Sequence, residues 1–314
     1  MRDTSTRPRL TAVGVTLAVG SAVCFGSAGP ATKALTASGL SALEITQARM
    51  SVAAVLLLAF VGLTAPRRLV VRRAEWPLVV AFGVLAFCVN QSLYAVAVGR
   101  LPVGVALLLE YLSPVMVVLW VRFVRGTRLP GAVWLGVGAA LVGLVLVGEV
   151  WAGFRLDLLG VLAGVGTAVA LTARFLLSER GLRTRDPAAL AALGTAIGAV
   201  ALDVVSPVTS FPFAALGGEA VVAGARIPLW GLLCWLAVVS TVLAYLTGVS
   251  AQRYLPPTAA SQLATLEVVV AGGFAALLLG ERLSAAQVLG GAVILVGVLA
   301  AQVAVAGEAR KLSN

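Results

Sequence analysis

A chain of 314 residues that is 60% hydrophobic and only 11% charged, with a mean hydropathy of +1.04, is not built for water, since a soluble domain carries about 25% charged residues. It has no histidine, and its three cysteines, Cys24, Cys88 and Cys234, all lie in apolar runs, which excludes an imidazole base or metal site and a disulfide framework; no metal and no cofactor are expected. The net charge of +10 points to nucleic acid or acidic lipid, unless the basic residues sort to one side of a membrane.

Arg2, Arg7 and Arg9 precede an apolar run as in a secretory leader, but the run is too long and too rich in glycine for one. Residues 1–10 are therefore expected to be a cytoplasmic tail and 11–35 the first span. Each further apolar segment is near the ~20 residues that cross a bilayer as a helix. They cover 44–64, 76–98, 101–121, 131–149, 157–178, 188–206, 228–249, 256–279 and 285–306, and 307–314 forms a second tail. Pro30 is expected to bend span one, with Lys33 beyond it binding substrate or snorkelling outward. The Pro-, Gly- and Ser-rich loop from Ser206 to Arg226 is expected at the interface, and Trp76, Trp151 and Trp230 read as interface anchors.

Alternating the spans with the N-terminus inside sorts the 23 basic residues. Lys33, Arg100, Arg155, Arg226 and Arg282 fall outside. Arg49 and Arg174 fall within spans, and the other sixteen fall in the cytoplasm. This positive-inside bias puts both termini in the cytoplasm and accounts for the charge without nucleic acid.

Charges and amides inside the spans mark candidate sites, because an ionised group at bilayer depth costs at least ~3 kcal/mol on insertion scales. Glu110 lies about nine residues into span four, roughly 13 Å deep, and Glu267 about eleven residues into span nine, roughly 16 Å. Either carboxyl can exchange a proton, meet a substrate amine, or tie two helices together. Tyr111 follows Glu110, and Pro114 is expected to bend span four. In span three, Asn90 and Tyr94 share a face at i, i+4, with Gln91 beside them. Tyr245 in span eight is a similar candidate. Arg49 can bind a carboxylate, pair with Glu44 or Glu110, or snorkel; Arg174, near a span end, is expected to snorkel. In span nine, Thr258, Ser261, Gln262 and Thr265 form a stripe nearly opposite Glu267. One of these faces lines a cavity and the other packs. Glu267 is expected at the cavity, with Gln262 as the residue able to reverse that.

A shift of 154 residues superposes the fourth and fifth spans on the ninth and tenth. Leu101-Pro102 meets Leu255-Pro256, Gly126 meets Gly280, and Gly136 and Gly143 meet Gly290 and Gly297. These last four glycines are expected at close helix contacts. Five spans is an odd number, so the second unit (157–306) is inverted relative to the first (11–149), with 150–156 as an external linker. The fold expected is an all-α integral membrane protein of ten transmembrane helices in two inverted five-helix repeats, an architecture that binds substrate near the midplane between the halves.

The paired repeats, the Leu279-Gly280-Glu281-Arg282-Leu283 turn and the following Gly290 and Gly297 resemble the EamA-type transporters of the drug/metabolite transporter superfamily. The resemblance implies a ten-helix alternating-access carrier, often an exporter of amino acids or other small metabolites. Two positions depart from the pattern. Thr127 stands where the second repeat has Glu281, and Val268 follows Glu267 where many relatives have proline. That leaves a bend of span nine without its usual cause.

The expected function is secondary active or facilitative transport of a small polar metabolite such as an amino acid, outward, across a bacterial-type inner membrane, by alternating access in which substrate binding neutralises or replaces the proton on the midplane carboxyl of Glu110. Its candidate partners are that substrate, protons, membrane lipid and a second copy of the chain as a homodimer. Two alternatives stand beside it: a proton-coupled exporter of lipophilic cations, and an integral-membrane enzyme acting on lipid-linked substrates.

Overall fold

The structure is a computed structural model that describes residues 6–101, 103–149, 151, 157–205, 211–280 and 284–311. Pro102, most of the 150–156 linker with Arg155, the 206–210 part of the long loop, and Glu281, Arg282 and Leu283 of the turn motif lie outside them, as do Arg2 and the last three residues.

Among the described residues, eight helices are long and apolar enough to cross a membrane: α1 (Ala12–Ala37), α2 (Ala42–Thr64), α3 (Arg73–Arg100), α4 (Val105–Val124), α6 (Leu158–Gly181), α7 (Pro187–Val204), α8 (Leu229–Ala251) and α9 (Pro257–Leu278). Two shorter apolar helices, α5 (Gly131–Val147) and α10 (Ala285–Ala300, the apolar part of a helix that runs to Lys311), complete the set. At 1.5 Å per residue α5 is about 25 Å long, a little short of a ~30 Å hydrocarbon core.

The all-helical expectation needs one correction. Strands β1 (Glu219–Val222) and β2 (Ala225–Pro228) form an antiparallel hairpin. Its two turn residues, Ala223 (φ 52°) and Gly224 (φ 78°), both take the left-handed conformation that a two-residue hairpin turn requires. The tip caps a helix end, since the Ala223 amide donates to the Leu278 carbonyl at 2.9 Å. Val222 packs with Ala31, Leu35 and Leu229 in an apolar cluster beneath.

Helix starts follow local rules. Ser41 and Glu44 form a reciprocal capping box at the start of α2. Asp157 caps α6 by accepting from the Gly160 amide at 2.8 Å. That amide, and then Arg100 at 3.3 Å, hold the Asp157 carboxyl below the usual range.

Packing pairs α5 with α10 and α2 with α7; α1 lies against α8 and α9, and α6 lies against α3 and α4. Glycine brings α5 and α10 together. A Cβ on Gly143 would sit 2.6 Å from the Gly290 carbonyl oxygen, and one on Gly290 would sit 2.6 Å from that of Gly143. No larger residue fits either place.

Irregularities recur 154 residues apart. A π-helical stretch occupies Val84–Val89 in α3 and another Val238–Leu243 in α8. α4 is interrupted at Tyr111–Leu112 and α9 at Thr265. Gly126 (φ 67°) and Gly280 (φ 66°) both turn left-handed. The first interruption follows from Pro114, which has no N–H for the Glu110 carbonyl four residues back. Span nine bends without proline: the Thr265 hydroxyl donates to the Gln262 carbonyl at 2.7 Å, competing with the helix for that acceptor. α1 is likewise broken at Ser27, three residues before Pro30.

Candidate functional site

The π-helical stretches end immediately before Asn90 in α3 and Ala244-Tyr245 in α8. A wider turn of this kind shifts the phase of the side chains that follow. Asn90 is buried, and its Nδ2 donates to the Thr167 carbonyl at 3.2 Å and to Glu110 Oε1 at 3.3 Å. Gln91 Nε2 donates to Asn90 Oδ1 at 3.5 Å, and Arg49 Nη2 donates to Gln91 Oε1 at 2.9 Å. One polar chain, Arg49–Gln91–Asn90–Glu110, thus links α2, α3 and α4. Arg49 turns inward. Glu44 is held by Ser41 in the capping box and leaves Arg49 to Gln91. Tyr94 packs beside Ala97, Ala106 and Ala163, within electrostatic reach of Glu110, Glu267 and Arg49.

At the interruption of α4, the buried Tyr111 hydroxyl donates to Glu267 Oε2 at 2.7 Å. Glu110 and Tyr111 are adjacent, so the polar chain comes within one residue of the second carboxylate.

Glu267 opens onto a cavity of about 40 Å³, room for a few waters. Ala18, Ser21 and Phe25 of α1, Arg174 and Phe175 of α6, Tyr245 of α8, Gln252 just after α8, and Ala264 of α9 are on its wall. The Arg174 guanidinium lies 5.0 Å from the Phe175 ring centroid, 5.7 Å from Tyr245 and 5.9 Å from Phe25. These are cation–π distances, and they correct the expectation that Arg174 snorkels. Among the described residues, neither Glu110 nor Glu267 forms an ion pair. Arg174 and Glu267 therefore face one cavity as separated opposite charges, a layout suited to a small molecule bearing both signs.

Other candidates lie elsewhere. Gln262 is 1% exposed, and its Nε2 donates to the Val133 carbonyl of α5 at 3.1 Å. Its stripe is the packing face, and the cavity takes the face with Ala260, Ala264 and Glu267. Glu110 is not on the cavity wall. Lys33 is exposed near the end of α1 and is not on the wall either. Gln252, with a buried and unpartnered Oε1, and Phe25 are additions. Gln252 lies seven residues from Tyr245, two helical turns along one face, so spacing alone could have found it.

The EamA-like transporter family model matches twice, over residues 12–148 and 158–301. The chain belongs to the EamA-like transporter family. It is a multi-pass membrane transporter and not an enzyme, which sets aside the alternative of a lipid-modifying catalyst. This EamA-like chain is 27% identical over 209 residues to an uncharacterized transporter of Archaeoglobus fulgidus, covering 66% of this chain and 70% of that one. A crystal structure of another protein, 19% identical, matches over 99% of both chains with a TM-score of 0.70; at that identity it shows the shared fold alone.

Proposed function

We propose that this EamA-like chain is a secondary carrier that exports a small polar metabolite bearing an amine and a carboxylate, such as an amino acid, by a proton-linked or facilitated alternating-access cycle. The observation that carries this is the placement of Glu267 and Arg174 on one small buried cavity. Glu267 alternately holds a proton and the substrate amine; Arg174 takes the carboxylate, and Gln252 offers an acceptor. Glu110 lies off the cavity and holds the Asn90–Gln91–Arg49 chain in register.

The membrane frame is two inverted five-helix repeats, 11–149 and 157–306, joined by an external linker at 150–156, with both tails in the cytoplasm of a bacterial-type cell. Three observations support it. The family model matches once in each half. Helix interruptions recur 154 residues apart. Exchanging the halves turns the α1–α8 and α1–α9 contacts into α6–α3 and α6–α4, and maps the α2–α7 and α5–α10 pairs onto themselves. In this frame Ala18, Arg174 and Gln252 lie on the cytoplasmic side of Glu267, so a cytoplasmic solute meets them first.

A second reading, export of lipophilic cations, draws on the Phe25, Phe175 and Tyr245 rings beside a carboxylate. Against it, Arg174 already lies over those rings.

The test is counterflow in proteoliposomes loaded with amino acids and related metabolites, with and without an imposed pH gradient. We expect saturable exchange of one zwitterionic class, loss of its pH linkage in Glu267→Gln, and weaker substrate affinity in Arg174→Gln. Glu110→Gln is expected to slow exchange and keep the pH dependence. Wild-type exchange and pH response in Glu267→Gln would sink the mechanism. Exchange of dyes but not of zwitterions would install the second reading.

A further inference from the structure

A second concavity, of about 260 Å³, lies at the joint between the α2–α3 and α6–α7 connections. Its wall includes Glu75, Arg180, Arg183, Thr184 and Arg185. Arg185 is anchored there, its side chain only 5% exposed. Its Nη2 donates to Glu75 at 2.7 Å and to the Val70 carbonyl at 3.1 Å, and its Nη1 donates to the Arg68 carbonyl at 3.4 Å. Those bonds use both terminal nitrogens and the one carboxylate on the described wall. Nε–H remains, buried and without an acceptor. Arg180 and Arg183 are exposed and, among the described residues, have no ion-pair partner.

Two guanidiniums without an ion-pair partner and a buried donor lacking its acceptor converge on one depression, and the one carboxylate on its described wall, Glu75, is already held by Arg185 and the Thr184 side chain. A phosphate group, with several acceptor oxygens and a negative charge, complements that set, and arginine pairs with it bidentately. Trp76, next to Glu75 and 45% exposed, is a residue of the headgroup level. In the topology proposed above, on which this step rests, the depression opens at the cytoplasmic leaflet.

We propose that this depression binds the phosphate of an anionic phospholipid headgroup, held by Arg180, Arg183 and the Nε–H of Arg185. The lipid sits where the start of α3 meets the end of α6.

Binding to the purified full-length chain in neutral detergent tests this without any transport assay, so its outcome is separable from that of the carrier reading. Short-chain phosphatidylglycerol, phosphatidylcholine and inorganic phosphate would be titrated, with native mass spectrometry and thermal shift as readouts. Phosphatidylglycerol is expected to saturate and to raise the melting temperature, and phosphatidylcholine is not. The Arg180→Gln/Arg183→Gln double variant is expected to weaken phosphatidylglycerol about thirtyfold, from roughly fivefold per arginine. The Arg128→Gln/Arg253→Gln pair removes the same charge from exposed positions outside the depression and is expected to cost about threefold or less. Equal weakening by the two double variants would overturn the site in favour of diffuse surface charge. Saturation by inorganic phosphate with no preference for lipid would keep the phosphate chemistry and overturn the lipid source. No saturable binding of either would overturn both.

Discussion

Asn90 is the residue on which the off-cavity network turns. It satisfies a carboxylate oxygen and a backbone carbonyl at once, so Asn90→Ala leaves two buried acceptors without that donor. We expect a stability loss of about 1–3 kcal/mol, read as a lower melting temperature in detergent. Asp157, outside the spans, provides a pH test. Its folded pKa is depressed by the Gly160 amide and by Arg100, so its contribution is present above the ordinary carboxylate value of about 3.9 and is lost as pH falls through the lower folded value. Asp157→Asn keeps a capping side chain and removes the charge. It should lower the melting temperature slightly at neutral pH and show a smaller drop on acidification. The sequence marks Glu110, Glu267, Asn90 and Tyr245 by their depth in apolar spans. It does not mark Arg174, because inward and outward rotamers of an arginine near a helix end look alike until the Phe25 and Tyr245 rings from other helices are in place.

Helix interruptions carry the geometry at the next scale. The Thr265 hydroxyl holds α9 open where no proline does so. Thr265→Val keeps the volume and removes that bond, and it is expected to lower exchange more than stability. A melting temperature several degrees lower with unchanged specific exchange would contradict this. The α5–α10 crossing gives a sharper contrast. Gly143→Val places side-chain atoms against the Gly290 backbone and should cost about 3 kcal/mol, read as loss of monodisperse protein. Gly138→Ala, on the same helix with nothing within 4 Å of the added carbon, should be neutral or gain about 0.5–1 kcal/mol. The 154-residue register predicts the glycine contacts from letters alone. The π-helical stretches were not legible, because Val84–Val89 and Val238–Leu243 read as ordinary apolar helix. The hairpin was missed because alanine at a left-handed turn position carries no signal.

For the molecule as a whole, the charge bias predicts an orientation that labelling can check. In a variant lacking Cys24, Cys88 and Cys234, a membrane-impermeant thiol reagent should reach Glu219→Cys on the hairpin from outside intact cells. It should reach Arg253→Cys only after permeabilisation, and the reverse pattern would invert the topology. The apolar helices were readable because hydrocarbon thickness imposes a length on a crossing, eight of them in the described residues reaching that length, whereas the cavity was not, since four helices build it. That cavity has a bioenergetic consequence. In the proton-linked export cycle proposed above, Glu267 is the single carboxylate on the described wall, so one turnover would exchange at most one proton there. Inward movement of that proton against outward movement of a neutral zwitterion is electrogenic. Each 100 mV of proton-motive force is worth about 2.3 kcal/mol per proton, so the steady-state concentration ratio such a carrier can sustain is capped at about fiftyfold per 100 mV of that total force.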